Sequence, residues 1–320
     1  MEMPSLSIGS RTASLPIVQG GMAVRISLAP LAAAVAQAGG VGIIAGSGLT
    51  PAELAAEVRA ARAATDGVIG VNIMVAVRQF KPLVQAAIEA GTDIVIAGAG
   101  FSRDVFGWCH DADVEIVPMV GSERVAKLSQ RFGASAVIVE GVEAGGHLGT
   151  DEPMLDLLPR IVAAVDLPVI AAGGIVTGKD IKRALDAGAA GVQMGSRFVA
   201  TDECSAPEAF KQLYVHAQAE DIVVTTSPVG LPGRAIRNEF VTRLAAGDYP
   251  GVERCRSCLK VCGKQYCIMD KLIAAQSGDV TGGLVFAGSS AARIHDIVPV
   301  AVLMDRLVSE WRAATQGATS

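Results

Sequence analysis

The chain has 320 residues, 51% of them hydrophobic, with 36 glycines and 4% aromatics, which suffices for one large buried core and makes a single main domain the default. A net charge of -5, with lysine and arginine scattered rather than striped, excludes the electrostatic footprint of a nucleic-acid binder and favours a small-molecule partner. The opening MEMPSLSIGSR has neither the basic nor the apolar region of a secretory signal, so a cytoplasmic protein is expected.

From Ile26 to Ala52 no residue is charged, but Pro30 and five glycines break the stretch into a helix-like and a strand-like part. Buried core, not a membrane span, is the reading. Short runs rich in Val, Ile and Ala recur at intervals of roughly 20 to 30 residues, the spacing of β-loop-α units. They are Pro16–Gly20, Val41–Ala45, Ile69–Met74, Asp93–Ala97, Val114–Met119, Ala136–Glu140, Pro168–Ala172 and Gly191–Met194. Most are continuous rather than alternating, as in a parallel sheet covered on both faces.

Helical patterns lie between them: Pro51–Ala64, Glu123–Phe132, and Lys179–Ala187 with Gly188 as its C-terminal stop. A doubly wound sheet also alternates strand and helix. The count of eight decides for a (β/α)8 TIM barrel, as do the glycines after the strand ends at Gly20-Gly21, Gly46, Gly98, Gly145-Gly146, Gly173-Gly174 and Gly195. Residues 1–200 then form the α/β barrel core. Past about Thr201 the alternation stops: a helical stretch Ala206–Ala217 leads to the loop S-P-V-G-L-P-G-R-A-I-R-N, a cysteine-rich segment and two more helical patterns. Residues 201–320 are expected to be an extension covering the active-site face.

Strands seven and eight end in A-A-G-G-I and Q-M-G-S-R-F, where glycine lets backbone N–H groups approach an anion and a short following helix would aim its positive end at it. The plain alternative is two tight turns, but two such turns side by side favour phosphate. The loop after strand six reads E-G-V-E-A-G-G-H-L-G. Its His147 follows two glycines at the functional end of a strand, where an imidazole can reach over a planar ligand; His110, His216 and His295 have no such setting.

Six motifs in order, I-V-Q-G-G-M (17–22), G-V-N-I-M (70–74), E-A-G-G-H-L-G (143–149), V-I-A-A-G-G-I (169–175), G-V-Q-M-G-S-R-F (191–198) and R-A-I-R-N (234–238), resemble the nitronate monooxygenase family, formerly called 2-nitropropane dioxygenases. That family includes the flavin-type enoyl-acyl-carrier-protein reductases. The resemblance implies a noncovalent FMN. Gly21 and Met22 would line its ring, Asn72, Glu140 and Gln193 would offer polar contacts, and Gly145 and Gly146 would pass close to it. Gly173, Gly174, Gly195 and Ser196 would hold its phosphate, and His147 would be the catalytic histidine, moving a proton or steadying an anion.

Cys255, Cys258, Cys262 and Cys267, spaced C-x₂-C-x₃-C-x₄-C among basic residues, depart from the pattern familiar in that family. Four thiolates so close can enclose a [4Fe–4S] cluster or a zinc ion; the flavin in the same chain favours the cluster. A reduced-thiol cap and chance disulfides are the plainer readings. Cys109 and Cys204 read as ordinary single thiols.

Three functions follow. The favoured one is an FMN-dependent reductase of an activated double bond, fed by NAD(P)H or by the cluster; the second is oxidation of alkyl nitronates by O₂; the third is a non-catalytic flavin or metal redox sensor. No dinucleotide fingerprint is present, since the glycines of G-V-G-I-I-A-G at 40–46 are wrongly spaced, so NAD(P)H would visit the flavin transiently. A small-molecule or acyl-thioester substrate and a homodimer are the expected partners; nucleic acid and membrane are not.

Overall fold

The computed structural model describes residues 2–317; Met1 of the expected core and residues 318–320 of the expected extension lie outside the described residues. Eight parallel strands make the barrel: β1 (Ile17–Gln19), β2 (Gly42–Ala45), β3 (Ile69–Met74), β4 (Ile94–Gly98), β5 (Glu115–Val120), β6 (Val137–Glu140), β7 (Val169–Ala172) and β8 (Gly191–Met194). Each pairs with its sequence neighbour from β2 to β8, and β8 pairs with β1. The Val18–Val41 bridge, with Gln19 N–H on the Val41 carbonyl at 2.9 Å, joins the last edge. The strand boundaries read from sequence agree to within a residue or so. The expected (β/α)8 fold is therefore the one observed.

The strands are apolar throughout because both faces are covered. Inward side chains, among them Val18, Ile43, Ile96, Val117, Ile138 and Ile170, form one buried cluster with Leu6, Ile8 and Ala13. Those three come from a hairpin, Leu6–Ile8 paired with Arg11–Ala13, that plugs the end of the barrel away from the glycine-rich loops. The outward faces pack under the ring helices. Helix Ala29–Gln37 lies so close that a Cβ at Gly42 would stand 1.9 Å from the Ala32 carbonyl oxygen, so β2 must begin on glycine.

Helix Pro51–Ala64 starts as its sequence dictates: Thr50 and Glu53 form a reciprocal capping box with proline in the first turn. Helix Gly178–Asp186 starts on the equivalent pair Thr177 and Asp180, and Gly188 follows with φ +101. The final helix, Val300–Gly317, packs against Gly178–Asp186 and Ala29–Gln37 and completes the outer ring. The chain between Thr201 and Pro299 contributes the helices Glu208–His216, Glu239–Ala245 and Ile268–Gln276 and two strands, Ile222–Thr225 and Gly233–Ile236. Among the described residues no helix is long and apolar enough to cross a membrane.

Candidate active site

The C-terminal ends of the strands open into one cavity of about 600 Å³. Gly21 and Met22 follow β1, Asn72 ends β3, Glu140 ends β6, Gly173 and Gly174 follow β7, and Gln193, Gly195 and Ser196 sit at the end of β8. With Gly145, Gly146 and His147 from the loop after β6, all of them line this cavity.

One corner is built from backbone. Gly173 and Gly174 have φ of +108 and +75, which side chains other than glycine rarely tolerate, and they lie beside Gly195-Ser196 because β7 and β8 are paired. The segment from Gly288 closes over them: Gly288 N–H donates to Ser196 Oγ at 2.9 Å, and Ser290 Oγ donates to the Gly174 carbonyl at 3.1 Å. Against the same segment, a Cβ at Gly145 would stand 2.6 Å from the Ala287 carbonyl carbon.

The opposite wall carries unspent polarity. The buried Gln193 Oε1 has no hydrogen-bond partner, and the Asn72 amide reaches only the Met119 sulfur, at 3.9 Å. An orphaned acceptor on a cavity wall costs stability unless something in the cavity donates to it. A planar heterocycle with ring N–H groups and a phosphate tail would satisfy both ends, so the residues present fit FMN.

His147 is held from outside the barrel. Gly146–His147 forms a two-residue strand paired with Gly233–Arg234, its ring meets Phe286 edge-on at 5.1 Å, and Nε2 lies 2.8 Å from Ser227 Oγ. Burial pushes its pKa down to about 4, so the ring is neutral at neutral pH. Burial pushes Glu140 the other way, to about 8, so this carboxyl is mostly protonated there.

A stability test follows from Glu140. The unfolded chain releases this proton near its ordinary value of 4.5 while the folded protein holds it to about 8, so folding loses stability as pH rises between the two. Glu140→Gln removes the titration. Its melting temperature relative to the parent is expected to climb from pH 5 to pH 8; a difference independent of pH would show that the carboxyl is not held neutral.

The structure overturns the expectation of a preformed metal centre. Among the described residues no group of three or more His, Cys, Asp or Glu side chains is arranged to hold a metal ion, and none of the six cysteines is in a disulfide. The reason is where each thiol goes. Cys255 is exposed and takes the Ser257 N–H, Cys258 and Cys262 pack against the apolar cluster around Phe80 and Leu259, and Cys267 precedes helix Ile268–Gln276. The segment is instead stitched to neighbouring loops: Arg78 N–H to Cys258 O and Lys260 N–H to Ala76 O, both at 2.9 Å, and Gly263 N–H to Pro228 O at 2.7 Å. As placed, it is a thiol-bearing cap over the loop after β3.

Sequence reasoning did not single out Ser227, Tyr266, Phe286 or Ser290. Ser227 opens the loop read only as a turn, and nothing in its neighbours marks its hydroxyl as a histidine partner. Phe286 and Ser290 reach the cavity from a stretch whose sequence shows no strand or helix pattern.

A family model, "Nitronate monooxygenase", matches residues 5–310. The chain belongs to the nitronate monooxygenase family. Within it, a Mycobacterium tuberculosis protein named (3aS,4S,5R,7aS)-5-hydroxy-7a-methyl-1-oxo-octahydro-1H-indene-4-carboxyl-CoA dehydrogenase is 37% identical over 73% of this chain and 66% of its own length. The chain thus spans just under two thirds of that relative. A probable nitronate monooxygenase of Staphylococcus haemolyticus is 29% identical over 71% of this chain and 76% of its own. Among solved structures, FabK from Thermotoga maritima superposes with a TM-score of 0.86 at 32% identity, covering 95% of this chain and 94% of that one. The protein is therefore an oxidoreductase of this family.

Proposed function

We propose that the protein is an FMN-dependent oxidoreductase that adds or removes hydrogen across the Cα–Cβ bond of an acyl thioester, with NAD(P)H exchanging hydride at the same mouth. The charge of the cavity carries this reading. Among the described residues no lysine or arginine lines it, and His147 and Glu140 are both neutral near pH 7. A thioester is uncharged and enters such a site without needing a counterion. A nitronate is an anion whose lost hydration nothing beside His147 would offset.

Two likenesses support it. The M. tuberculosis relative is named for a carboxyl-CoA substrate, and G-V-N-I-M and R-A-I-R-N lean toward the enoyl-reductase branch. FMN, when bound, supplies the hydride chemistry. Gly173, Gly174, Gly195 and Ser196 would hold its phosphate through backbone N–H groups, and Gln193 and Asn72 would meet its ring edge. Gly145 and Gly146 let the histidine loop lie flat against it. In the reducing direction Cβ gains hydride and Cα gains a proton; oxidation reverses both. His147 is the group placed to take the Cα proton on oxidation and, as its conjugate acid, to return it on reduction.

An iron–sulfur cluster at the cysteine segment would require thiols that now point apart to converge, and no step here passes through one. Metal and acid-labile sulfide analysis of anaerobically purified protein decides it: about four irons with matching sulfide per chain would add a cluster to this reading.

Steady-state kinetics with a 2-enoyl-CoA and NAD(P)H, set against an alkyl nitronate and O₂, test the substrate class. The expected outcome is a kcat/KM for the thioester higher by roughly 10²-fold or more, the scale set by about 3 kcal/mol of differential transition-state binding. Nitronate turnover with an inert thioester would overturn the proposal.

A further inference from the structure

The cysteine segment and His147 meet through two buried hydroxyls. Ser227 is 7% exposed and Tyr266 wholly buried; the latter stands one position before Cys267, its ring edge-on to Phe240 at 5.2 Å. The Tyr266 hydroxyl donates to the Thr226 carbonyl at 2.9 Å and also hydrogen-bonds the Ser227 side chain. Ser227 Oγ accepts the Val229 N–H at 3.3 Å and lies 2.8 Å from His147 Nε2.

The protons along this chain can be assigned. A carbonyl only accepts, so the Tyr266 proton goes to Thr226, and the Tyr266 oxygen is left to accept from Ser227. A hydroxyl has one proton and two lone pairs. With its proton on Tyr266 and one lone pair on Val229 N–H, Ser227 has one lone pair left for His147. The histidine must then donate from Nε2.

We propose that Ser227 and Tyr266 are positioning residues that hold His147 as its Nε2–H tautomer and so turn an unprotonated Nδ1 toward the substrate. The inference rests on the reading above that His147 exchanges a proton with the substrate. It assigns a task to the cysteine segment. Held to Pro228 and Ala76 by the backbone bonds of Gly263 and Lys260, that segment carries Tyr266 to the place where it sets the direction of the chain. The second nitrogen of a histidine takes its state from the partner of the first, here a serine whose own proton is already committed.

The test uses the FMN-loaded protein with ¹⁵N-labelled histidine, the His147 signal being identified by its loss in His147→Gln. The expected spectrum shows Nε2 protonated and Nδ1 bare. In Tyr266→Phe the Ser227 proton loses its acceptor and turns to His147, so the tautomer is expected to invert and kcat to fall about tenfold, an acid–base-sized effect, with KM unchanged. Ser227→Ala is expected to give a mixture of tautomers, and Ser227→Thr, which keeps the hydroxyl, to restore both tautomer and kcat. A parent protein with Nδ1 protonated, or a Tyr266→Phe variant with unchanged tautomer and kcat, overturns the proposal. If the tautomer inverts as expected but His147→Ala turns over normally, the positioning stands and the catalytic reading of His147 falls.

Discussion

Replacing His147 with alanine is expected to lower turnover by roughly 10²-fold or more while the protein keeps its flavin. The two halves of that expectation come from different places in the structure. The imidazole is held by Ser227 and Phe286 on the Gly146–His147 strand, whereas the phosphate corner is built by Gly173-Gly174 and Gly195-Ser196 with Gly288 and Ser290 closing over it. Losing the ring therefore removes a proton-transfer group and leaves the anion site alone. Turnover and flavin absorbance, measured on the same preparation, check both. Turnover unchanged from about pH 6 to 9 would reduce His147 to a packing residue.

Gly195→Val is expected to yield folded protein without flavin. The backbone at Gly195 has φ -103, open to any residue, and a Cβ there meets nothing nearer than the Met22 sulfur at 3.8 Å. The fold can accept the side chain, but the cavity loses the space in which a phosphate would meet the Gly195-Ser196 backbone. Gly174 is a poorer probe, because its φ of +75 would strain any replacement whatever occupies the corner. Flavin content by absorbance and folding by circular dichroism check the outcome; full flavin occupancy in Gly195→Val would remove the phosphate from this corner.

The barrel was legible because a parallel strand covered on both faces must be apolar along its whole length, and eight such runs between helical patterns leave few alternatives. Gly20, Gly145-Gly146, Gly173-Gly174 and Gly195 marked the mouth for the same reason they are glycines: backbone there must turn sharply or lie close to something. The N-terminal hairpin was not legible, since Leu6–Ile8 and Arg11–Ala13 are three residues each and gain their stability from plugging the barrel. Ser227 and Tyr266 escaped for a related reason. A hydroxyl acquires a role only through its neighbour in space, and His147 lies 80 residues from Ser227 along the chain. The cysteines were misleading in the opposite sense: their spacing is dense in sequence, but Cys258 and Cys262 turn into apolar packing while Cys255 turns to solvent.

The most direct measurement of the central claim is an anaerobic titration of the purified protein followed in the visible flavin band. NADH or NADPH is expected to bleach the band, and a 2-enoyl-CoA added without oxygen is expected to restore it at a rate that accounts for turnover. A protein that cannot be loaded with FMN, or whose bleached band returns only when O₂ is admitted and never with the thioester, would contradict the account.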